Sequence, residues 1–462
     1  MSDRTDGRSG ADRAGSVRRA PIARLRLLLD IDLHILQTLL LRGWSIIAGG
    51  VMVLFVPRWF GPVDQGYFYT FNSLIAVQIF FELGMNQIVV QIVGHEAAHL
   101  RQQSDGSLVG DRAPIARLAS LTRLLTRWYQ VAALLFFVLG GAAGLAFFAW
   151  HGVPGGREAG IWLVLVLLTA INLALSPALA TLEGLGRVGD VARLRLVQSI
   201  VGYGLMWAAL SFGAGLFAAP LLAGAGVLCT AYWLHAHDRR IRWLKAVQLL
   251  PDDQTLKWRR DILPLQWRIA LSWASGYLIL QLLVPMTFSH QGAVAAGQLG
   301  LTLTIFNSLL SIGLSWVNAR LPVLAGHLAR NERQQARAGF WSVSVRSTGI
   351  TMLGSLMLVI AVQFLPDFMR SRFADVTTMA CLAIATVVNC VIYAMATFIR
   401  AHKEEPLLAQ SIVCALVMAP AVYVSSYLDV ATMTATFAAV IVILSLPWTI
   451  AIFRRYYARS AA

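Results

Sequence analysis

Charge is what this chain has least of. Only 23 of its 462 residues are Asp or Glu, and charged residues of both signs make up 13%. A soluble protein carries about 25%. So little charge cannot solvate the surface of the roughly three soluble domains that the length alone would suggest at about 150 residues each. Cysteine is also scarce. Cys229, Cys381, Cys390 and Cys414 all fall inside apolar stretches, which excludes a disulfide framework and a four-cysteine zinc site. No G-x-x-x-x-G-K-[ST] phosphate loop occurs, so ATP hydrolysis is not expected in this chain. No cleavable signal peptide is expected either. The first apolar run is long, starts late and lacks a small-residue cleavage pattern.

What the chain has instead is apolar sequence. Hydrophobic residues reach 57% and the mean hydropathy is +0.65. A membrane-spanning helix needs about 20 mostly apolar residues, and such runs recur from end to end. About twelve are expected, near 33–56, 66–92, 128–150, 160–182, 191–213, 216–236, 264–288, 294–318, 339–363, 376–399, 406–427 and 432–453. The expected fold class is therefore an all-α integral membrane protein of about twelve transmembrane helices.

The net charge is +15 and the pI about 10.3. In a soluble protein this would point to nucleic acid. Here the basic residues lie in short segments between apolar runs, where they report topology, and no nucleic-acid partner is expected. With the N-terminus placed inside, 31 of the 38 Lys and Arg fall on the cytoplasmic side. Arg58, Arg157, Arg370 and Arg372 fall opposite, and Arg42, Arg268 and Arg346 lie within spans. This asymmetry predicts cytoplasmic termini and an even number of spans.

The longest polar interruption, His237–Asp261, divides the spans six and six. Residues 1–30 read as a largely disordered cytoplasmic tail, 31–236 as a first six-helix lobe and 237–263 as a basic linker. Residues 264–453 read as a second lobe and 454–462 as a cytoplasmic tail. The halves echo each other. Val56-Pro57, Phe60, Gly66 and Leu83-Gly84 return as Val284-Pro285, Phe288, Gly297 and Ile312-Gly313, at offsets of 228 to 231 residues. Two pseudo-repeats of equal orientation around a central cavity follow, an arrangement transporters use to place a substrate site between repeats.

Charges inside spans mark function by default. Arg42 lies roughly 14 Å into its helix, Arg346 roughly 10 Å and Arg268 roughly 6 Å, at about 1.5 Å per residue. Arg320 lies at the inner end of the eighth span. A guanidinium forks onto phosphate or carboxylate oxygens, so Arg42, Arg268, Arg346 and Arg320 are expected to form a cationic substrate-binding cavity. Arg268 and Arg320 have a plainer reading, snorkelling to the headgroups. Glu82, the acidic residue well inside a span, is the expected charge partner or coupling group. His95-Glu96-Ala97-Ala98-His99 is a literal H-E-x-x-H, which on a helix would hold zinc with Glu as base. No third ligand accompanies it. The expectation is a solvated helix end, with no metal and no cofactor.

One family resembles this pattern. Pro57-Arg58-Trp59-Phe60-Gly61-Pro62-Val63-Asp64-Gln65-Gly66-Tyr67, then Phe81-Glu82-Leu83-Gly84-Met85-Asn86, resembles the first two helices of bacterial polysaccharide flippases. These are the O-antigen and exopolysaccharide exporters of the multidrug/oligosaccharidyl-lipid/polysaccharide exporter superfamily. The turn Glu183-Gly184-Leu185-Gly186-Arg187 is similar to the family's loop after its fourth helix. Ala295-Ala296-Gly297-Gln298 and Arg320-Leu321-Pro322 are similar to the corresponding second half. Phe60 and Gln298 depart from the family pattern, where Leu and an aromatic are usual. The resemblance implies two six-helix lobes around a cationic cavity. It also implies a transporter, not an enzyme, that flips an undecaprenyl-pyrophosphate-linked oligosaccharide across the bacterial inner membrane by alternating access. Such a protein would serve lipopolysaccharide or exopolysaccharide synthesis beside a glycan polymerase and assembly proteins. The alternatives are a multidrug or metabolite exporter of the same superfamily, a membrane metalloprotease using the HEAAH segment, and a non-transporting scaffold.

Overall fold

The computed structural model describes residues 33–98, 100–102, 108–110, 112–151, 156–236, 262–330, 332–400 and 406–459. The tail 1–30 and most of the basic linker lie outside the described residues. The described chain is almost wholly helical, with a two-stranded hairpin, Leu100–Gln102 and Leu108–Gly110, after the second rod.

Twelve rods follow in order. The first half contains α1 (Leu33–Trp59), α2 (Pro62–Glu82 with Met85–Ala97), α3 (Pro114–Trp150), α4 (Arg157–Gly184), α5 (Val188–Ser211) and α6 (Gly215–Ala236). The second contains α7 (Leu263–Leu280, continuing over 283–291), α8 (293–329), α9 (Arg333–Gln363), α10 (Val376–Arg400), α11 (Leu408–Ser425) and α12 (Val430–Ala458). By length and composition, nine described stretches could cross a membrane, or ten with the bent α2. Two features account for the difference from twelve. Ile269–Leu328 is one apolar stretch, but Gly292, at φ 84 and ψ 175, divides it into α7 and α8. Helix α5 carries Asp190, Arg193 and Arg195 in its first turns, which lowers its hydropathy.

Each rod ends for a local reason. Pro62 opens α2 at a position where its missing N–H costs nothing. Asp375 accepts from Thr378 N at 3.0 Å to start α10, and Asp429 accepts from Thr432 N at 2.8 Å to start α12. Those bonds hold the Asp429 carboxyl below the usual carboxylate range. Several rods are longer than expected. The third begins 14 residues before residue 128, at Pro114, and the eighth runs to Ala329, so Arg320 lies within a helix, not at its end.

The second rod differs most from expectation. The apolar run 66–92 predicts one straight span. Instead Leu83 (φ 50) and Gly84 (φ 66) both adopt left-handed backbone, and α2 bends there by 44°. A Cβ on Gly84 would lie 2.2 Å from Ile269 Cγ2 of α7, so this bend carries a close contact between lobes.

Outward-facing positions are apolar, as lipid requires. Leu134, Leu416 and Ile443 are 63%, 66% and 75% exposed. Inside, Trp162, Phe71, Tyr129 and Phe306 are fully buried. Several polar groups inside the bundle bond from helix to helix. Asn172 reaches Ala223 O at 2.9 Å between α4 and α6, and Gln410 reaches Thr449 Oγ1 at 2.7 Å between α11 and α12.

Candidate functional site: the interlobe cleft and its closed end

The lobes meet through α1 and α2 on one side and α7 and α8 on the other. Their tightest contact is at the sparse end of the bundle, the end that holds Arg58, Arg157, Arg370 and Arg372. A Cβ on Gly66 would lie 1.9 Å from Ala293 O, and one on Gly297 would lie 2.8 Å from Gly66 N. Backbone therefore touches backbone, and no other residue fits at either position. Gly66 and Gly297 are also repeat mates.

Side chains seal the same end. Gln65 Nε2 donates to Gly297 O at 2.9 Å and to Arg372 O at 3.1 Å. Phe288 of α7 lies 5.3 Å from Tyr67 and 5.7 Å from Phe148 between ring centroids. Aromatic pairs of this kind contribute about 0.5–1.5 kcal/mol each beyond their burial. Tyr277 Oη donates to Ser73 O at 3.2 Å further along the α2–α7 contact. The chain thus stands in a state closed at the sparse end.

Towards the basic end the expected arginines separate. Gly49 of α1 faces Ser308 of α8, its Cβ position 3.8 Å from Ser308 Oγ. Arg42 precedes Gly49 by seven residues, two helical turns, and so shares its stripe. It therefore lies on the face α1 turns to the second lobe, below the contact. It is exposed and has no ion pair among the described residues. Trp44, on another face, bonds Ser199 Oγ of α5 at 3.0 Å. Arg268 lies in α7 next to Ile269, the residue that meets Gly84. Arg320 and Arg346 share one cavity, between α8, α9 and α10. Arg42 does not line that cavity, so the four arginines do not form the single cluster expected from the sequence.

Glu82 belongs to neither group. It ends the first segment of α2, at the left-handed turn. Beside it are Tyr129 of α3 and Arg195 of α5. The Tyr129 hydroxyl and Asn86 Oδ1 are buried without a hydrogen-bond partner of good geometry. Arg195 is itself bound to Glu183 at 2.8 Å, which secures the Glu183–Arg187 turn together with Arg187–Asp190 at 2.6 Å. Discontinuous helices are where membrane transporters commonly place substrate and ion sites. The sequence reading singled out Glu82 and did not single out its neighbours Tyr129 and Asn86. The signal was present, since both are polar residues inside apolar runs.

The H-E-x-x-H segment has a different use here. Glu96 is buried and pairs with Arg117 of α3 at 3.5 Å. A carboxylate held this way ties α2 to α3 and is not free to act as a base. His99 lies outside the described residues, and no group of three metal-ligating side chains gathers among the described ones. The double variant His95→Ala, His99→Ala should keep transport near the unsubstituted level, measured at matched expression. Purified protein should bind less than one zinc per chain by elemental analysis, and stoichiometric zinc lost in the double variant would revive the protease reading.

This fold, two six-helix lobes with a cleft closed at one end, is shared by solved structures of membrane transporters. The chain superposes on the inward-facing conformation of a multidrug resistance MATE family transporter of the MOP superfamily with a TM-score of 0.56, at 15% identity, over 94% of this chain and 98% of that one. It superposes on the MATE multidrug transporter DinF-BH with a TM-score of 0.58, at 13% identity, over 94% and 96%. The inward closed conformation of the lipid II flippase MurJ gives a TM-score of 0.58 at 9% identity, over 92% and 90%. No protein-family model and no curated protein sequence matches the chain.

Proposed function

We propose that this chain is an inner-membrane flippase for a lipid-linked oligosaccharide, with both termini cytoplasmic. The observation that carries the reading is Arg42. It stands on the cleft-facing stripe of α1, exposed and unpaired among the described residues. A charge at that depth is unfavourable by a few kcal/mol on insertion scales, so an unpaired one is expected to serve a ligand. Arg268 lies in the corresponding helix of the other repeat, and two arginines at that end suit a pyrophosphate loaded from the basic side. The flippase among the structural neighbours supports a lipid-borne cargo on this fold, and the resemblance of residues 57–67 and 81–86 supports a glycan. In this reading Glu82, at the α2 break, takes up and releases the coupling ion. A glycan polymerase and assembly proteins are the expected partners.

A second reading, multidrug export, is favoured by the MATE structures. A cationic drug would require acidic residues in the cleft, whereas Arg42 faces it. One experiment separates the two. Expressed in a strain lacking its polysaccharide flippase, the chain should restore surface glycan. Expressed in an efflux-deficient strain, it should leave resistance to cationic dyes within about twofold of the empty vector. Dye resistance without glycan would replace the flippase by the exporter.

A further inference from the structure

The cavity that holds Arg320 and Arg346 is not part of the cleft. Along α8, Trp316, Arg320, Val323 and His327 fall at i, i+4, i+7 and i+11, one stripe of the helix. Ser308, which meets the first lobe, lies roughly 90° around the helix from that stripe, at about 100° per residue. The stripe faces α9 and α10 instead, and there it encloses about 320 Å³.

The charge in this cavity is of one sign. His327 is bound to Glu332 at 2.6 Å, and Glu332 also takes Arg330 at 3.3 Å. Arg320 and Arg346 are exposed and have no ion pair or hydrogen bond among the described residues. Two guanidinium groups on one small cavity favour an anion, and their fork geometry suits phosphate oxygens.

A second hollow continues the first. It holds about 370 Å³ between α9 and α10, and its lining includes Trp341, Val345, Met352 and Met395. The two share Phe340, Ser344 and Ala394, so they form one depression. Trp341, Val345 and Met352 are 48%, 64% and 57% exposed, as residues facing hydrocarbon are. From Phe340 to Met352 the groove runs roughly 18 Å along α9, comparable with one leaflet of a hydrocarbon core about 30 Å thick.

We propose that this depression holds one anionic phospholipid of the bilayer, its phosphate between Arg320 and Arg346 and one acyl chain along the α9–α10 groove. A cationic head site joined to an apolar groove matches an amphiphile and no soluble anion. Basic pockets between transmembrane helices on the cytoplasmic side are a recurrent form of lipid-head recognition. Its place on α8–α10, turned from the cleft, suits a resident lipid and not the transported cargo. Such a lipid would brace α9 against α8 while the lobes rock. The inference does not depend on the nature of the cargo.

The test is lipid binding to the purified full chain by native mass spectrometry. Phosphatidylglycerol, phosphatidylcholine, undecaprenyl phosphate and inorganic phosphate are titrated separately. Phosphatidylglycerol should bind one per chain, about tenfold more tightly than phosphatidylcholine, whose choline cation is repelled by the two arginines that take its phosphate. The double variant Arg320→Gln, Arg346→Gln should lose that preference. Gly349 lines the groove with nothing within 4 Å of its Cβ position, so Gly349→Leu should fill the tail site and weaken binding with the charges intact. Arg330→Gln, outside the cavity, should change nothing. The proposal fails if the unsubstituted chain shows no preference, or if the double variant keeps it. It also fails if inorganic phosphate displaces the lipid at equal concentration, or if undecaprenyl phosphate binds tenfold more tightly than the phospholipid.

Discussion

On the proposed flippase reading, Arg42→Ala should reduce flipping of the lipid-linked glycan by roughly 10–100-fold while the protein inserts normally, the loss expected for a charge-assisted contact of about 1.5–3 kcal/mol. The measurement is surface glycan in a flippase-deficient strain, at expression matched by immunoblot. Arg42→Lys should recover part of the activity, because an ammonium keeps the charge and loses the fork. Arg42 makes no ion pair among the described residues, so its removal orphans no described acid and should leave thermal stability in detergent unchanged. Full surface glycan in the alanine variant would sink the anion-binding cleft, and a scaffold role would then move ahead. Arg346→Ala supplies the contrast. Since Arg346 lines the α8–α10 cavity and not the face that meets the first lobe, it should leave substrate specificity unaltered.

The second large effect is expected at the glycine contact. Gly297→Val should abolish transport. The new side chain would start 2.8 Å from Gly66 N, and backbone cannot give way as a flexible side chain can. Closure at the sparse end would be blocked, and the chain would be held with that end open. A cysteine at Ala296, fully buried beside the contact, reports this directly. In a background with Cys229, Cys381, Cys390 and Cys414 replaced by serine, a membrane-impermeant maleimide should label Ala296→Cys at least about tenfold faster when Gly297→Val is present. Equal labelling with full transport would mean that the glycine contact is not a gate. Gly66→Val should behave in the same way, because the two glycines are repeat mates in one contact.

The sequence was informative wherever the solvent imposes the rule. Lipid demands long apolar helices with internally satisfied backbone, so most of the rods could be read from apolar runs, and the polar breaks between them supplied the rest. Charge scarcity excluded soluble domains for the same reason. The two-lobe repeat was legible from six residues, because a backbone contact tolerates only glycine and leaves Gly66 and Gly297 in register. Arg42 and Glu82 were legible because an ionised group in a span stands out against its surroundings.

What hydropathy cannot encode was decided by the tertiary structure. Leu83 in left-handed backbone is a strained state, set beside the close approach of Gly84 to Ile269 of the other lobe, and the apolar run gave no sign of the break in α2. Above all, the four arginines looked alike along the chain. Which ones share a cavity depends on the direction each helix face takes once the lobes are packed. That angle placed Arg42 on the cleft and turned Arg320 and Arg346 together to a separate cavity between α8, α9 and α10.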